Sequence, residues 1–276
     1  MILAGRARPA SRALRPVLTW LTLLALGWVA CWLGPGLVAG DPAVLLRPHP
    51  PEALRVPYLV LLYGWFLGAT LCCWPRHARA AGLPRRGAGA AFLAGLGLGL
   101  VAAGVQRLVL ALGGWWTAPD PDPGVLLAAV LTAPLLAFAE EVAFRGFLFG
   151  TLKRGLGRPG AFLAANLFFA SVHLFRPGAL EFKAAYGVGL FLVGLVLCRL
   201  AESAGTLWPA IGLHSGWIVL RVADPPGGLS GGWLPGLEGD PLAGLVGWLM
   251  LLGLLPLLAP LGRRMAGARE DQRGAD

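Results

Sequence analysis

The sequence predicts an all-α, polytopic membrane protein with about eight transmembrane helices and a core helical bundle that holds the functional site. Its 276 residues are 57% hydrophobic and only 13% charged, and their mean hydropathy is +0.69. A soluble globular domain usually carries about a quarter charged residues, and this chain has no long polar block that could form one. Its apolar residues gather instead in runs near the ~20 residues that a helix needs to cross the membrane.

Eight apolar runs follow one another along the chain, separated by breaks rich in Pro and Gly. The first run follows four arginines, as in a signal peptide, but it exceeds the roughly 7–15 apolar residues of such a leader. We therefore expect an uncleaved first span. The fifth and seventh runs are short and carry His or Arg, so they fit the pattern of a membrane span least well. In order, the runs are 17–39, 57–75, 89–113, 124–150, 160–177, 183–202, 206–222 and 241–261.

The basic residues predict the orientation of the chain and explain its net charge of +9. With an even number of spans both termini lie on one side, and that side collects 16 Lys and Arg residues against 5 on the other. The positive-inside rule therefore predicts a protein of the cell membrane with both termini in the cytoplasm, and no nucleic-acid partner is expected. The 16 are four within 6–15, four within 76–86, three within 153–158, Arg199 and four within 263–273; the 5 are Arg47, Arg55, Arg176, Lys183 and Arg221.

The fourth run contains the stretch AEEVAFRGF at 139–147, which places three charges where the membrane is expected. On an α-helix Glu141 and Arg145 lie four residues apart with the acid first, so they share a face and can pair. Glu140 points about 100° away from Glu141 and lacks that partner. The trio could be a buried ion-pair cluster that locks two helices together. Ionisable groups inside a membrane are functional by default, however, and the unpaired Glu140 favours a functional site.

Two histidines lie in later runs at a similar depth. At 1.5 Å per residue, Glu140 lies about 15 Å from the cytoplasmic end of its run, His214 about 12 Å and His173 about 20 Å. A single His in a helix is more often a hydrogen-bonded core residue than a catalyst. Because two carboxylates, an arginine and two imidazoles lie at similar depth in three runs, we expect them to converge on one site.

This set of side chains suits the activation of water. A carboxylate beside an imidazole can take a proton from water that attacks a carbonyl, and a second imidazole can donate to the oxyanion that forms. Glu and His also bind zinc, but the motif H-E-x-x-H is absent and the two histidines are far apart in sequence. Zinc stays an alternative that is not favoured, and no other cofactor is expected.

The motifs around these residues resemble those of a known membrane-protease family. EEVAFR at 140–145 fits E-E-x-x-x-R, FASVH at 169–173 fits F-x-x-x-H, and His214 begins the third motif, H-x-x-x-N. With the flanking FRGFLFGTL and LWPAIGLHSGW, they resemble the CAAX protease and bacteriocin-processing family, also called CPBP or Abi. Each motif alone is weak, but the ordered set on consecutive membrane helices is specific.

The resemblance implies an intramembrane endopeptidase whose partners are the lipid bilayer and a membrane-associated peptide or protein substrate. It implies that Glu140 is the base, that His173 is its partner and that His214 donates to the oxyanion. Glu141 and Arg145 would support them structurally. Some family members are described as metalloproteases. The substrate stays open between a C-terminal CAAX-like tail, a C-terminal sorting tag and a leader peptide.

One departure from the family pattern concerns the oxyanion. The third motif ends in Ile218, where the family usually has an Asn that donates a hydrogen bond. The only asparagine, Asn166, lies about 10 Å before His173 along the helix, which is too far to replace that donor directly.

A non-enzymatic bacteriocin self-immunity factor or transporter that binds through the same charges is the alternative function.

The expected organisation has three parts. Residues 1–122 form the basic N-terminal segment and spans one to three, and residues 123–222 form the catalytic core with spans four to seven. Residues 223–276 hold the last span and a basic cytoplasmic tail.

Overall fold

The structure is a computed structural model of the chain that describes residues 10–39, 52–118, 122–174, 178–223 and 228–271. These ranges are almost entirely helical, and their two antiparallel bridges, Trp116 with Leu229 and Gly232 with Gly236, are isolated. The all-α fold class is therefore confirmed. The α-helices are α1 (Ala10–Ala39), α2 (Glu52–Cys73), α3 (Arg76–Gly82), α4 (Ala88–Leu112), α5 (Pro123–Glu141), α6 (Gly150–Val172), α7 (Leu180–Ala204), α8 (Trp208–Ala223) and α9 (Leu245–Asp271); a π-helical segment, Val142–Phe149, joins α5 to α6.

A helix lies over each of the eight predicted runs, and the multi-pass membrane character is confirmed. Among the described residues, five helices are long and apolar enough to cross a membrane, or six if α2 and α3, bent by 114°, count as one span. One of the five is the 50-residue stretch Pro123–Val172, which at 1.5 Å per residue is far longer than a bilayer is thick. The count of eight is met only if α2 with α3 counts as one span, the 50-residue stretch divides at Gly157 and the 16-residue α8 also crosses.

The start of α5 follows from its sequence. The Asp122 carboxylate accepts hydrogen bonds from the backbone N–H groups of Gly124 and Val125, at 2.7 and 3.3 Å, and so satisfies two of the free donors of the first turn. Pro123 occupies the first helical position, where its missing N–H costs nothing. Gly157, with φ of 71°, ends the long helical run in a conformation that glycine adopts without strain.

The π-helical segment corrects the prediction of an ordinary α-helix over 124–150. Val142–Phe149 follows Glu141 directly and contains Arg145. Short π-helical stretches are rare and often lie at functional sites. Hydrophobic periodicity did not indicate this one, because the residues of the segment are buried almost all round.

Glycines bring α4 and α8 into close contact. An added Cβ at Gly95 or Gly99 would run into the backbone carbonyls of Pro209 and Leu213, and one at Gly212 would meet the Phe92 carbonyl. Both helices carry the G-x-x-x-G spacing, at 95–99 and 212–216, which lets membrane helices approach closely. Since α8 carries His214, this packing fixes the position of that side chain.

An aromatic cluster packs α1 and α2 against the centre of the molecule. Trp20 of α1 is fully buried, and its indole N–H donates to Thr70 Oγ1 of α2 at 2.9 Å. Its ring centroid lies 5.3 Å from that of Phe147 in the π-helical segment and 6.0 Å from that of Phe168 in α6. Helices α1 and α2 therefore pack against one side of the region that holds the motif residues.

Basic residues near the break at Gly157 pair with the end of α7. Lys153 Nζ and Arg158 Nε lie 2.7 and 2.8 Å from the Glu202 carboxylate, and both basic side chains are about half exposed.

Of the basic residues used to predict the orientation, Arg6, Arg8, Arg47, Arg176 and Arg273 lie outside the described residues.

Candidate active site

The predicted pair of Glu141 and Arg145 is present and buried. Arg145 Nη1 donates to Glu141 Oε1 at 2.9 Å, and the exposed fractions of the two side chains are 1% and 0%. The guanidinium carbon of Arg145 also lies 4.3 Å from the ring centroid of Phe169, a distance at which a cation is attracted to the ring face. The arginine is therefore held by a carboxylate and by an aromatic ring.

His214 brings α8 into the same cluster. Its Nδ1 lies 2.9 Å from Glu141 Oε1, so one carboxylate oxygen accepts from both Arg145 and His214. An ionised carboxylate only accepts, so the proton of this bond belongs to Nδ1 of His214. The opposite ring nitrogen, Nε2, then points away from Glu141 and towards Glu140.

His173 stands at the end of α6, where the helix leaves its last carbonyl groups without helical partners. Its Nδ1 lies 2.7 Å from the carbonyl oxygen of Phe169. A carbonyl only accepts, so Nδ1 carries the proton and, in the neutral ring, Nε2 is free to accept. Its ring also packs against Phe169, with centroids 4.6 Å apart, which fixes its plane.

Both imidazoles meet at one oxygen of Glu140. The distances from Glu140 Oε2 to Nε2 of His173 and to Nε2 of His214 are each 3.9 Å. That separation is too long for a direct hydrogen bond and suits one small group held between the three atoms. The expected convergence of Glu140, Glu141, Arg145, His173 and His214 is therefore present, on α5, the π-helical segment, the end of α6 and α8.

A tyrosine that the sequence analysis did not select completes the surroundings of Glu140. The hydroxyl of Tyr63, on α2, lies 3.2 Å from Glu140 Oε1. Tyr63, Glu140 and His173 line a cavity of about 320 Å³, whose other walls are mainly apolar side chains of α1, α2, α6 and the π-helical segment. The sequence signal was weak, since Tyr63 is one polar hydroxyl in an apolar run.

The two residues considered for the oxyanion, Ile218 and Asn166, take no polar part in the site. Ile218 packs against the apolar core. Asn166 is buried, and its side chain bonds to the Phe162 carbonyl at 2.7 Å and to Cys198 Sγ at 3.7 Å. Cys198 belongs to α7, so the amide of Asn166 ties α6 to α7 and does not line the cavity of Glu140.

Zinc binding was the alternative for the same side chains. Within the described part of the chain, no three His, Cys, Asp or Glu side chains form a group with the geometry of metal ligands. That the reaction uses no zinc stays a prediction, which the chelation experiment tests.

Fold and site together define a polytopic α-helical membrane protein with a buried cluster of carboxylates and imidazoles. Residues 122–220 match the family model described as type II CAAX prenyl endopeptidase Rce1-like. The resemblance to the CPBP family is thus confirmed, and the matched segment covers about a third of the chain. The family match supports the assignment of this protein to the hydrolases, in the class of CAAX-type intramembrane proteases. Comparisons with curated proteins and with solved structures gave no match.

Proposed function

We propose that the protein is an intramembrane endopeptidase in which Glu140 and His173 activate a water molecule. The observation that carries this proposal is the approach of two Nε2 atoms, each to 3.9 Å, to the same Glu140 oxygen. A carboxylate and a neutral Nε2 both accept hydrogen bonds, so the group that joins them must donate two protons. Water is the smallest such group, and it is the nucleophile of a hydrolase.

The proposed reaction begins with a water molecule that donates to Glu140 Oε2 and to Nε2 of His173. Glu140 takes one proton, and the water oxygen forms a bond to the carbonyl carbon of the scissile peptide. His214, with protons on both ring nitrogens, donates Nδ1–H to Glu141 and Nε2–H to the resulting oxyanion. The carbon–nitrogen bond then breaks, and Glu140 returns its proton to the departing amine.

Membrane-associated peptides or proteins are the proposed substrates. The cavity of Glu140 is lined largely by apolar side chains, and two of these, Trp28 and Trp65, are exposed by 54% and 44% on the apolar outer surface. A peptide tethered to the bilayer can approach the carboxylate along this wall. A C-terminal CAAX-like tail, a sorting tag and a leader peptide all meet this description, and the family description favours the C-terminal tail.

The proposed orientation has both termini in the cytoplasm, because the basic clusters gather on that side. A C-terminal tag should then be digested by protease in inside-out vesicles and protected in sealed cells. Protection in inside-out vesicles with digestion in intact cells would reverse the orientation.

The test is proteolysis in reconstituted liposomes, with the wild type beside Glu140→Gln over a library of membrane-tethered peptides. Glu140→Gln should lower turnover by about 10²–10⁴-fold, the usual contribution of a general base. Glu181→Gln, at the exposed start of α7, is the matched control and should cleave like the wild type. A Glu140→Gln protein that cleaves at the wild-type rate would exclude this mechanism, and an inactive wild type would favour the non-enzymatic binding function.

A further inference from the structure

The Glu140 oxygen that faces away from the histidines has its own donor. Tyr63 Oη lies 3.2 Å from Glu140 Oε1, and because an ionised carboxylate can only accept, the phenol donates. The two oxygens of Glu140 are therefore distinguished: Oε1 is bonded to Tyr63, and Oε2 faces Nε2 of His173 and of His214.

The surroundings of Tyr63 hold its hydroxyl in this place. Its ring meets the ring of Phe66, one turn later on α2, edge to face with centroids 6.3 Å apart. Phe66 in turn packs against Trp20 of α1 and Phe144 of the π-helical segment, at 6.2 and 5.9 Å. The phenol thus projects from the aromatic cluster that joins the first two helices to the site.

Tyr63 also lies outside the segment that matches the family model, which begins at residue 122. The three motifs therefore do not contain the group that bonds to their first glutamate. Helix α2 supplies it, so the part of the chain before residue 122 takes part in the geometry of the site.

We propose that Tyr63 is a positioning residue for the hydrolysis: its hydroxyl holds Oε1 of Glu140 so that Oε2 is presented to the water beside His173. The inference rests on the proposed function. Without this bond the carboxylate can rotate about its terminal torsion, which has only a broad preference, and Oε2 leaves the two imidazoles.

The test compares Tyr63→Phe with Tyr186→Phe in the full chain, in liposomes, on a quenched-fluorescence peptide with a prenylated C-terminal CAAX tail. Tyr186 lies on α7, stacks on Phe182 with ring centroids 5.5 Å apart and does not line the cavity. Because Phe keeps the ring, the Tyr186 variant should match the wild type. Tyr63→Phe should lower kcat by about 10- to 100-fold, the loss typical of a hydrogen bond to a charged group. KM should stay within about twofold, because the phenol does not bind substrate in this scheme.

The split between kcat and KM, read beside Tm, separates positioning from a structural effect. The groups that face Glu140 are Tyr63 from α2, His173 from the end of α6 and His214 from α8. Loss of the Tyr63 hydroxyl should therefore lower kcat while KM and Tm stay close to those of the wild type. A raised KM with unchanged kcat would mean that Tyr63 contacts substrate, and a Tm that falls together with kcat would mean a structural role; either result overturns the proposal.

Infrared spectroscopy tests the bond without any substrate. The carboxylate stretching band that disappears in Glu140→Gln belongs to Glu140, and it should shift in Tyr63→Phe but not in Tyr186→Phe. An unshifted band overturns the inference. If the wild type cleaves no peptide, the proposed function fails, and the infrared comparison alone decides whether Tyr63 holds Glu140.

Discussion

Replacing Arg145 by Ala should destabilise the protein strongly. Arg145 and Glu141 are buried, with exposed fractions of 1% and 0%, and are joined by a 2.9 Å hydrogen bond. Removing one partner of a buried pair typically costs about 3–5 kcal/mol, because the other charge is left uncompensated. The stacking of the guanidinium over Phe169, at 4.3 Å, is lost as well, which points to the upper part of that range.

The assay is thermal unfolding in detergent, followed by the fluorescence of the 11 tryptophans. At about 2–4 °C per kcal/mol for a large domain, Arg145→Ala should lower Tm by roughly 6–20 °C. The double variant Glu141→Gln with Arg145→Met should recover part of the loss, since it removes both charges and keeps an amide oxygen to accept from His214.

Arg158→Ala is the matched control. Its pair with Glu202 is half exposed, and exposed pairs contribute at most about 1 kcal/mol, so Tm should fall by less than about 4 °C. An Arg145→Ala protein that melts with the wild type but no longer cleaves would refute the structural role. Arg145 would then have to act on the substrate.

Three further predictions concern the oxyanion, the helix packing and metals. Ile218→Asn should raise turnover several-fold if position 218 faces the scissile carbonyl, since one oxyanion donor is worth about 10²–10³-fold. Unchanged turnover in a folded protein would mean that position 218 does not face that carbonyl. Gly99→Val should abolish cleavage and lower Tm by pushing α8 away, whereas Gly97→Val, where an added Cβ meets nothing, should do neither; equal effects would contradict the close packing. Cleavage activity should persist after prolonged treatment with a metal chelator. If the chelator abolished the activity and added zinc restored it, the metal-free mechanism would be wrong.

The sequence predicted the fold class and the pairing partners because both depend on strong local signals. Runs of about 20 apolar residues identify membrane helices, and the i, i+4 spacing of Glu141 and Arg145 allowed their pair. The depth estimates for His173 and His214 used the same helical rise, and the two side chains do meet at Glu140.

Features that depend on contacts between distant segments were not predicted. The π-helical segment and the Tyr63–Glu140 bond leave no periodic trace in the sequence, whereas the turn at Gly157 lies in the Pro- and Gly-containing break between the runs 124–150 and 160–177. The G-x-x-x-G spacing on α4 and α8 did offer a signal, and reading it would have placed α8 against α4. The i, i+4 rule describes an α-helix, but Arg145 lies in the π-helical segment. Glu141 and Arg145 therefore form their 2.9 Å bond in a helix geometry that the rule does not describe.

The dual role of Glu141 explains why stability and chemistry are coupled in this site. One oxygen, Oε1, accepts from the guanidinium of Arg145 and from Nδ1 of His214, each at 2.9 Å. The first bond compensates a buried charge, and the second sets which nitrogen of His214 faces Glu140. A change at Glu141 therefore alters both the folded state and the direction of His214. For that reason Arg145 and Glu141 must be tested together, with Tm and cleavage measured on the same preparations.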